Sequence, residues 1–145
     1  MATEGRLPAG VDGVRCIEWN KNADTTAKTW GHPSVQGDVR DLTLYEGLSG
    51  TIDLMWASPP CQAFSLAGKR LGAKDERNGW PWTFDVVDHV RPRWVATENV
   101  VGLIHHREEC PSEDCAGCYW EGVVRDFKKR YAHVSWRVLD AADYG

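Results

Sequence analysis

The sequence predicts an α/β fold in which short strands alternate with amphipathic helices. Apolar runs at 14–19, 52–57 and 94–97 read as strands, by alternation or by unbroken apolar character. Helical spacings at 23–30, 81–90 and 120–131 separate or follow them. Acids and a cysteine fall immediately after the strands, on the sheet edge where open α/β folds bind ligands.

The composition narrows the functional classes. At 145 residues the chain holds one domain at most, with 42% hydrophobic and 26% charged residues, an ordinary globular balance. A net charge of −4 gives no general footprint for nucleic acid, so any contact with DNA is local. No stretch is apolar enough to span a membrane, and the amino end has no signal-peptide pattern. Five cysteines, an odd number, then read as reduced thiols in a cytoplasm. Eight tryptophans serve packing for the most part, and some are available for stacking on bases or adenine.

Residues 1–13 are glycine-rich and without periodicity. Val14-Arg15-Cys16-Ile17-Glu18-Trp19 reads as a strand ending in an acid and an aromatic. Such an acid can accept hydrogen bonds from ribose hydroxyls. The following helix sets Ala23, Ala27 and Trp30 on one face and stops at Gly31. After Ser34-Val35-Gln36, Gly37-Asp38-Val39-Arg40-Asp41-Leu42 reads equally as a polar turn in which Asp41 caps the next helix.

Ile52–Ala57 reads as a half-buried strand and leads into Ser58-Pro59-Pro60-Cys61-Gln62-Ala63-Phe64-Ser65. The two prolines stiffen the backbone and push each preceding residue toward extended geometry. Cys61 is therefore held on a rigid loop at a strand's carboxyl end, where a thiolate is a competent nucleophile. Residues 66–79 are punctuated by glycine and carry Lys69, Arg70, Lys74 and Arg77, cations suited to a phosphate backbone. Pro81 opens a helix with Trp82, Val86 and Val90 on one face, flanked by Phe84 and Val87; Arg91-Pro92 ends it. Trp94–Thr97 reads as a buried strand that delivers Glu98-Asn99-Val100 to the same edge as Cys61.

Between 105 and 118 lie His105, His106, Cys110, Cys115 and Cys118. This is an insertion whose three cysteines, with His105 or His106, could complete a four-ligand structural zinc knuckle; reduced, exposed thiols are the alternative. Trp120, Val123, Val124, Phe127 and Tyr131 mark an amphipathic helix. Val134–Leu139 alternates as a further strand.

Taken together, these motifs resemble the cytosine carbon-5 DNA methyltransferases. Ser58–Ser65 is similar to motif IV of that family, Glu18-Trp19 to motif II, Gly37–Leu42 to motif III and Glu98-Asn99-Val100 to motif VI. Asp140-Ala141-Ala142-Asp143-Tyr144-Gly145 is similar to the approach to motif VIII. The resemblance implies a Rossmann-like S-adenosylmethionine-dependent methyltransferase fold. It implies Glu18 on the cofactor ribose, Trp19 against adenine, Asp38 at the adenine amino group, and Pro60 among the cofactor contacts. It makes Cys61 the nucleophile and Glu98 the acid at N3 of a flipped cytosine. Gln62, Ser65 and Asn99 fall to the DNA, Ser65 at a phosphate.

Departures from the family pattern carry expectations of their own. Ala9-Gly10-Val11-Asp12-Gly13 does not match the Phe-x-Gly-x-Gly cofactor turn. The chain is therefore expected to be a partial catalytic domain over 1–145, lacking the first strand and the target-recognition region, with weak or no activity alone. A complementary chain supplying those parts is one expectation. A non-catalytic accessory chain using the Cys/His knuckle is another, and tRNA cytosine is the alternative substrate. Amino-methyltransferases share the Pro-Pro turn but follow it with an aromatic residue; a cysteine there points to carbon-5 chemistry.

Overall fold

The computed structural model describes residues 13–65, 72–105 and 116–145. The chain forms two compact units, one of residues up to Asp53 with Phe84–Arg93, the other of Leu54–Thr83 with Trp94–Gly145.

The first unit is a small βαβ arrangement. Strands β1 (Cys16–Glu18) and β2 (Ser34–Gln36) pair in parallel, with Ile17 opposite Val35. Helix α1 (Lys21–Thr29) joins them. Asn20 caps it, its side chain accepting from the N–H groups of Asn22 (2.8 Å) and Ala23 (3.2 Å). Gly31, at φ 77°, takes the left-handed conformation that ends the helix.

The helix does not rest on the expected apolar face. Ala23 is exposed and Trp30 is 72% exposed, whereas Asp24 is buried. The cause is polar: Asp24 accepts from Ser34 Oγ at 2.7 Å and from Lys28 Nζ at 2.8 Å, tying α1 to β2 through a hydrogen-bonded carboxylate. Both partners hold that carboxyl below its usual range, Lys28 first. A buried carboxylate needs such partners, and here it has two.

Asp41 caps a 3₁₀ turn, Leu42–Tyr45, as the polar-turn reading expects, accepting from Thr43 N–H at 3.1 Å. Tyr45 is buried; its hydroxyl donates to Val39 O at 3.2 Å, and burial, then the charge of Asp38, push its pKa up to about 12. The ring meets His89 edge-on at 6.5 Å.

In the second unit, β3 (Leu54–Ala57) and β4 (Trp94–Thr97) pair in parallel, Leu54 opposite Trp94 and Ala57 opposite Thr97. β4 is not the buried strand expected: Trp94 is 60% exposed and the other three residues are half-buried. Two strands present two faces and two edges, and the described chain covers only part of them.

Helix α2 (Trp80–Val90) begins one residue before the expected start, and the unit boundary falls within it. Trp80, not Trp82, is its most buried tryptophan; Val86, Val87 and Val90 are buried and Trp82 is half-buried. Arg91 closes the helix at φ 52°, its N–H bonded to Val87 O. Helix α3 (Ala116–Arg130) buries Val123 and Phe127, with Trp120 and Val124 half-buried beside them. Trp80 packs edge-on against Trp120 and Phe127, at centroid distances of 5.8 and 6.3 Å.

Residues 134–139 do not form the expected strand. They pair with no other described segment, and Trp136, Val138 and Leu139 are all exposed. Alternation alone does not make a strand, because the backbone groups need a neighbour. What holds the segment is Trp136, set edge-on to Trp120 at 5.7 Å. Among the described residues, no helix is long and apolar enough to cross a membrane.

Candidate active site

The site is built on the carboxyl ends of β3 and β4. Beyond β4 the pairing runs one step further, Glu98 N–H donating to Ala57 O at 3.2 Å. Glu98, exposed, thus leaves the sheet beside the start of the Ser58–Cys61 loop. Asn99 ties the two ends: its Nδ2 donates to Pro59 O at 2.9 Å, while its Oδ1 accepts from Val100 N–H. Asn99 is thereby a brace for the cysteine loop.

Cys61 is half-buried with a free thiol. Its carbonyl accepts from both Phe64 and Ser65 N–H at 2.9 Å, which closes a turn after the two prolines. Ala63 and Phe64 are buried and anchor that turn; Phe64 stacks on Tyr119 of α3 at 5.3 Å and 21°. Gln62 is exposed and Ser65 half-buried. Trp56 Nε1 donates to Ser58 Oγ at 3.0 Å, fixing the loop's first residue. A loop with a proline-limited backbone, an anchored end and a braced carbonyl holds its thiol with little freedom to lose on reaction.

Of the residues expected at the cofactor, Pro60 lies half-buried in the cysteine loop, and Glu18, Trp19 and Asp38 lie in the other unit. Glu18 is half-buried, its Oε1 accepting from Asn20 N–H at 2.7 Å. Trp19 is 69% exposed at the end of β1, a ring face open to stacking. Asp38 accepts from Arg40 N–H and Nε, each at 2.9 Å, and this pairing lowers its pKa.

The same Asp-x-Arg turn recurs at Asp75 and Arg77, which the sequence reading passed over. Asp75 accepts from Arg77 N–H at 2.9 Å and from its Nε and Nη2 at 2.8 and 2.7 Å. Arg77, counted above among cations suited to phosphate, is thus committed to a buried carboxylate. The spacing of Asp and Arg two residues apart was the available signal. Arg77 holds the Asp75 carboxyl down to about 2, from an ordinary 3.8. A depressed folded pKa stabilises the fold above the unfolded value, and that contribution is lost as pH falls from about 4 toward 2. Asp75→Asn is expected to lower stability at pH 7 and to flatten its dependence between pH 4 and 2, as urea unfolding across that range would register.

The segments expected to close over DNA and to hold zinc are only partly described. Lys69, Arg70, His106, Cys110 and Cys115 lie outside the described residues. Among the described residues, which include His105 and Cys118, no group of three or more potential metal ligands is present.

A Pro-Pro-Cys loop and a glutamate stand at the carboxyl ends of adjacent parallel strands, an α/β arrangement that sets a free thiol and a carboxylate on one sheet edge. Comparison with known proteins takes this further. A model of the C-5 cytosine-specific DNA methylase family matches residues 5–145. Type II methyltransferase M.NgoMIV of Neisseria gonorrhoeae is 35% identical over 94% of this chain and 41% of its own length. Type II methyltransferase M.NaeI of Lentzea aerocolonigenes is 33% identical over 97% of this chain and 33% of its own length. Type II methyltransferase M.NlaIV of Neisseria lactamica is 38% identical over 72% of this chain and 25% of its own length. The chain belongs to the C-5 cytosine-specific DNA methylase family. It spans between a quarter and two fifths of the length of these three relatives.

Proposed function

We propose that this chain carries the nucleophile and the acid for methylation of cytosine at carbon 5 in DNA, as part of a restriction-modification methyltransferase acting in the cytoplasm. The observation that carries the reading is the braced pair of strand ends, with Cys61 on one, Glu98 on the other, and Asn99 bonded across to Pro59.

Carbon 5 of cytosine is a weak nucleophile within an aromatic ring. Addition of the Cys61 thiolate to carbon 6 converts the ring to an enamine-like form whose carbon 5 can attack an electrophile. Glu98 assists by donating a proton or strong hydrogen bond to N3, which draws electron density toward that nitrogen as the thiolate adds. With the methyl group on carbon 5, water takes the carbon-5 proton, and the C5–H electrons re-form the ring double bond as the C6–S bond breaks. Cys61 leaves as thiolate, and N3 returns its proton to Glu98. The base must leave the stack for carbon 6 to reach a thiol on a protein loop. Gln62 and Ser65, next to Cys61 on that loop, are positioned for the displaced nucleotide and its backbone. The residues fit S-adenosylmethionine in one respect that supports the reading: Trp19 offers an exposed ring next to the Glu18 carboxylate. Glu18, Trp19 and Asp38 would hold that cofactor, which supplies an electrophilic methyl group.

The 145 residues by themselves are proposed to bind cofactor weakly and to need a complement for turnover. The support is the share of the relatives' length they span and the exposed strand residues of the two-stranded sheets among the described residues. The function is tested by expressing the chain within its native coding context, with S-adenosylmethionine and duplex DNA, and digesting the product to nucleosides. The expected product is 5-methyldeoxycytidine. N4-methylcytosine, N6-methyladenine or methylation confined to tRNA would overturn the reading.

A further inference from the structure

Gly79 lies buried at the start of α2, and its backbone is not in the left-handed region that favours glycine. The reason for a glycine is space. A Cβ added there would stand 2.5 Å from Pro60 Cδ, 3.1 Å from Pro59 Cβ and 3.3 Å from Pro60 N. The proline rings cannot swing aside as a flexible side chain would, because each is closed on its own backbone. Any side chain at 79 therefore pushes on the backbone that leads directly into Cys61.

The segment behind Gly79 is itself fixed. Asn78 is 6% exposed; its Nδ2 donates to Tyr119 OH at 2.7 Å and to Ala73 O at 3.3 Å, and its Oδ1 accepts from Trp80 N–H at 3.3 Å. Tyr119 also stacks on Phe64, three residues beyond Cys61. One tyrosine on α3 thus holds both the end of the cysteine turn and the residue preceding Gly79. Asn99 braces Pro59 from β4.

We propose that Gly79, latched by the Asn78–Tyr119 hydrogen bond, is a positioning residue for Cys61, acting through the Pro59–Pro60 backbone. The inference rests on the reading of Cys61 as the nucleophile, but its test does not need that reading to be right.

The experiment measures alkylation of individual cysteines by iodoacetamide, resolved by peptide mass spectrometry, in the whole chain. Exposed Cys16, in the other unit, is the internal reference. Gly79→Ala and Gly79→Ser are compared with the unmodified protein. Gly79 also occupies the cap position of α2, with Thr83 N–H bonded to its carbonyl, and serine caps far better than alanine. Both variants are expected to change the Cys61 rate severalfold relative to Cys16, because both carry a Cβ. Recovery of the original ratio in Gly79→Ser alone would assign the glycine to capping and overturn the proposal, as would an unchanged ratio in both. Where a Gly79 variant unfolds, Tyr119→Phe carries the test. It keeps the ring on Phe64 and removes only the oxygen that accepts from Asn78. A smaller shift in the Cys61 ratio with an unchanged melting midpoint is expected, and no shift overturns the latch. In the protein's native coding context, Gly79→Ala should lower kcat and leave KM for DNA near its original value. A Cys61 shift without any methyl transfer in the unmodified protein would leave the positioning intact and refute the functional reading instead.

Discussion

In the protein's native coding context, Cys61→Ser is expected to reduce methyl transfer by about ten thousand-fold or more, the scale on which an enzyme loses its nucleophile. The substitution is nearly isosteric, and Cys61 is only half-buried, so the loop should keep its turn and its bond from Asn99. What changes is chemistry. A serine hydroxyl is scarcely ionised near neutrality and is a hard nucleophile, whereas carbon 6 of a cytosine responds to a soft thiolate. Retained DNA affinity with lost turnover would place the defect in the reaction. A residual rate within about tenfold of the original would remove Cys61 from the mechanism.

Trp80→Ala is expected to cost about 3–5 kcal/mol, the range for emptying a large aromatic site. Trp80 is 1% exposed and joins Trp120 and Phe127 through edge-to-face contacts, so its loss opens a cavity between the start of α2 and α3. The site also contains a flaw that a milder variant exposes. The indole nitrogens of Trp80 and Trp120 are both buried and meet no acceptor among the described residues. An unpaired buried N–H costs about 1–3 kcal/mol. Trp80→Phe removes one of them and keeps most of the ring, so its cost should fall well below that of Trp80→Ala. Chemical denaturation with tryptophan fluorescence and circular dichroism measured together would compare the two.

The elements were legible where the sequence carries its own boundaries. Pro81 and Arg91-Pro92 bracket α2 to within about a residue, and the spacing of Val123, Val124 and Phe127 marks α3. The loop at Cys61 was legible because prolines restrict the backbone without help from distant residues. Burial was less so. The apolar run of β4 reads as buried, yet exposure depends on which neighbours flank a strand, and no local pattern encodes that. Residues 134–139 show the same limit, since their alternation is real but no described segment pairs with them. In α1 the alanines suggested an apolar face, while the contact that holds the helix is Asp24 with Ser34, ten residues apart and both polar.

At the candidate site, the residues proposed to react were visible in the sequence and their supports were not. Glu98 stands directly after β4 and Cys61 on the short proline loop that follows β3, where motifs are sought. Asn78, Gly79 and Tyr119 reach the cysteine loop from a turn and from a helix distant in sequence, so only three-dimensional proximity reveals them. A glycine required for space, with ordinary backbone angles, looks like any loop glycine.

The most direct test of the account is covalent capture on DNA containing 5-fluorocytosine. Fluorine cannot leave as a proton does, so a protein that adds to carbon 6 and completes methyl transfer stays attached. The protein, expressed in its native coding context and given S-adenosylmethionine, is expected to form one adduct per site, with the modified peptide containing Cys61. No adduct despite bound cofactor and DNA, or an adduct on any other residue, would contradict it.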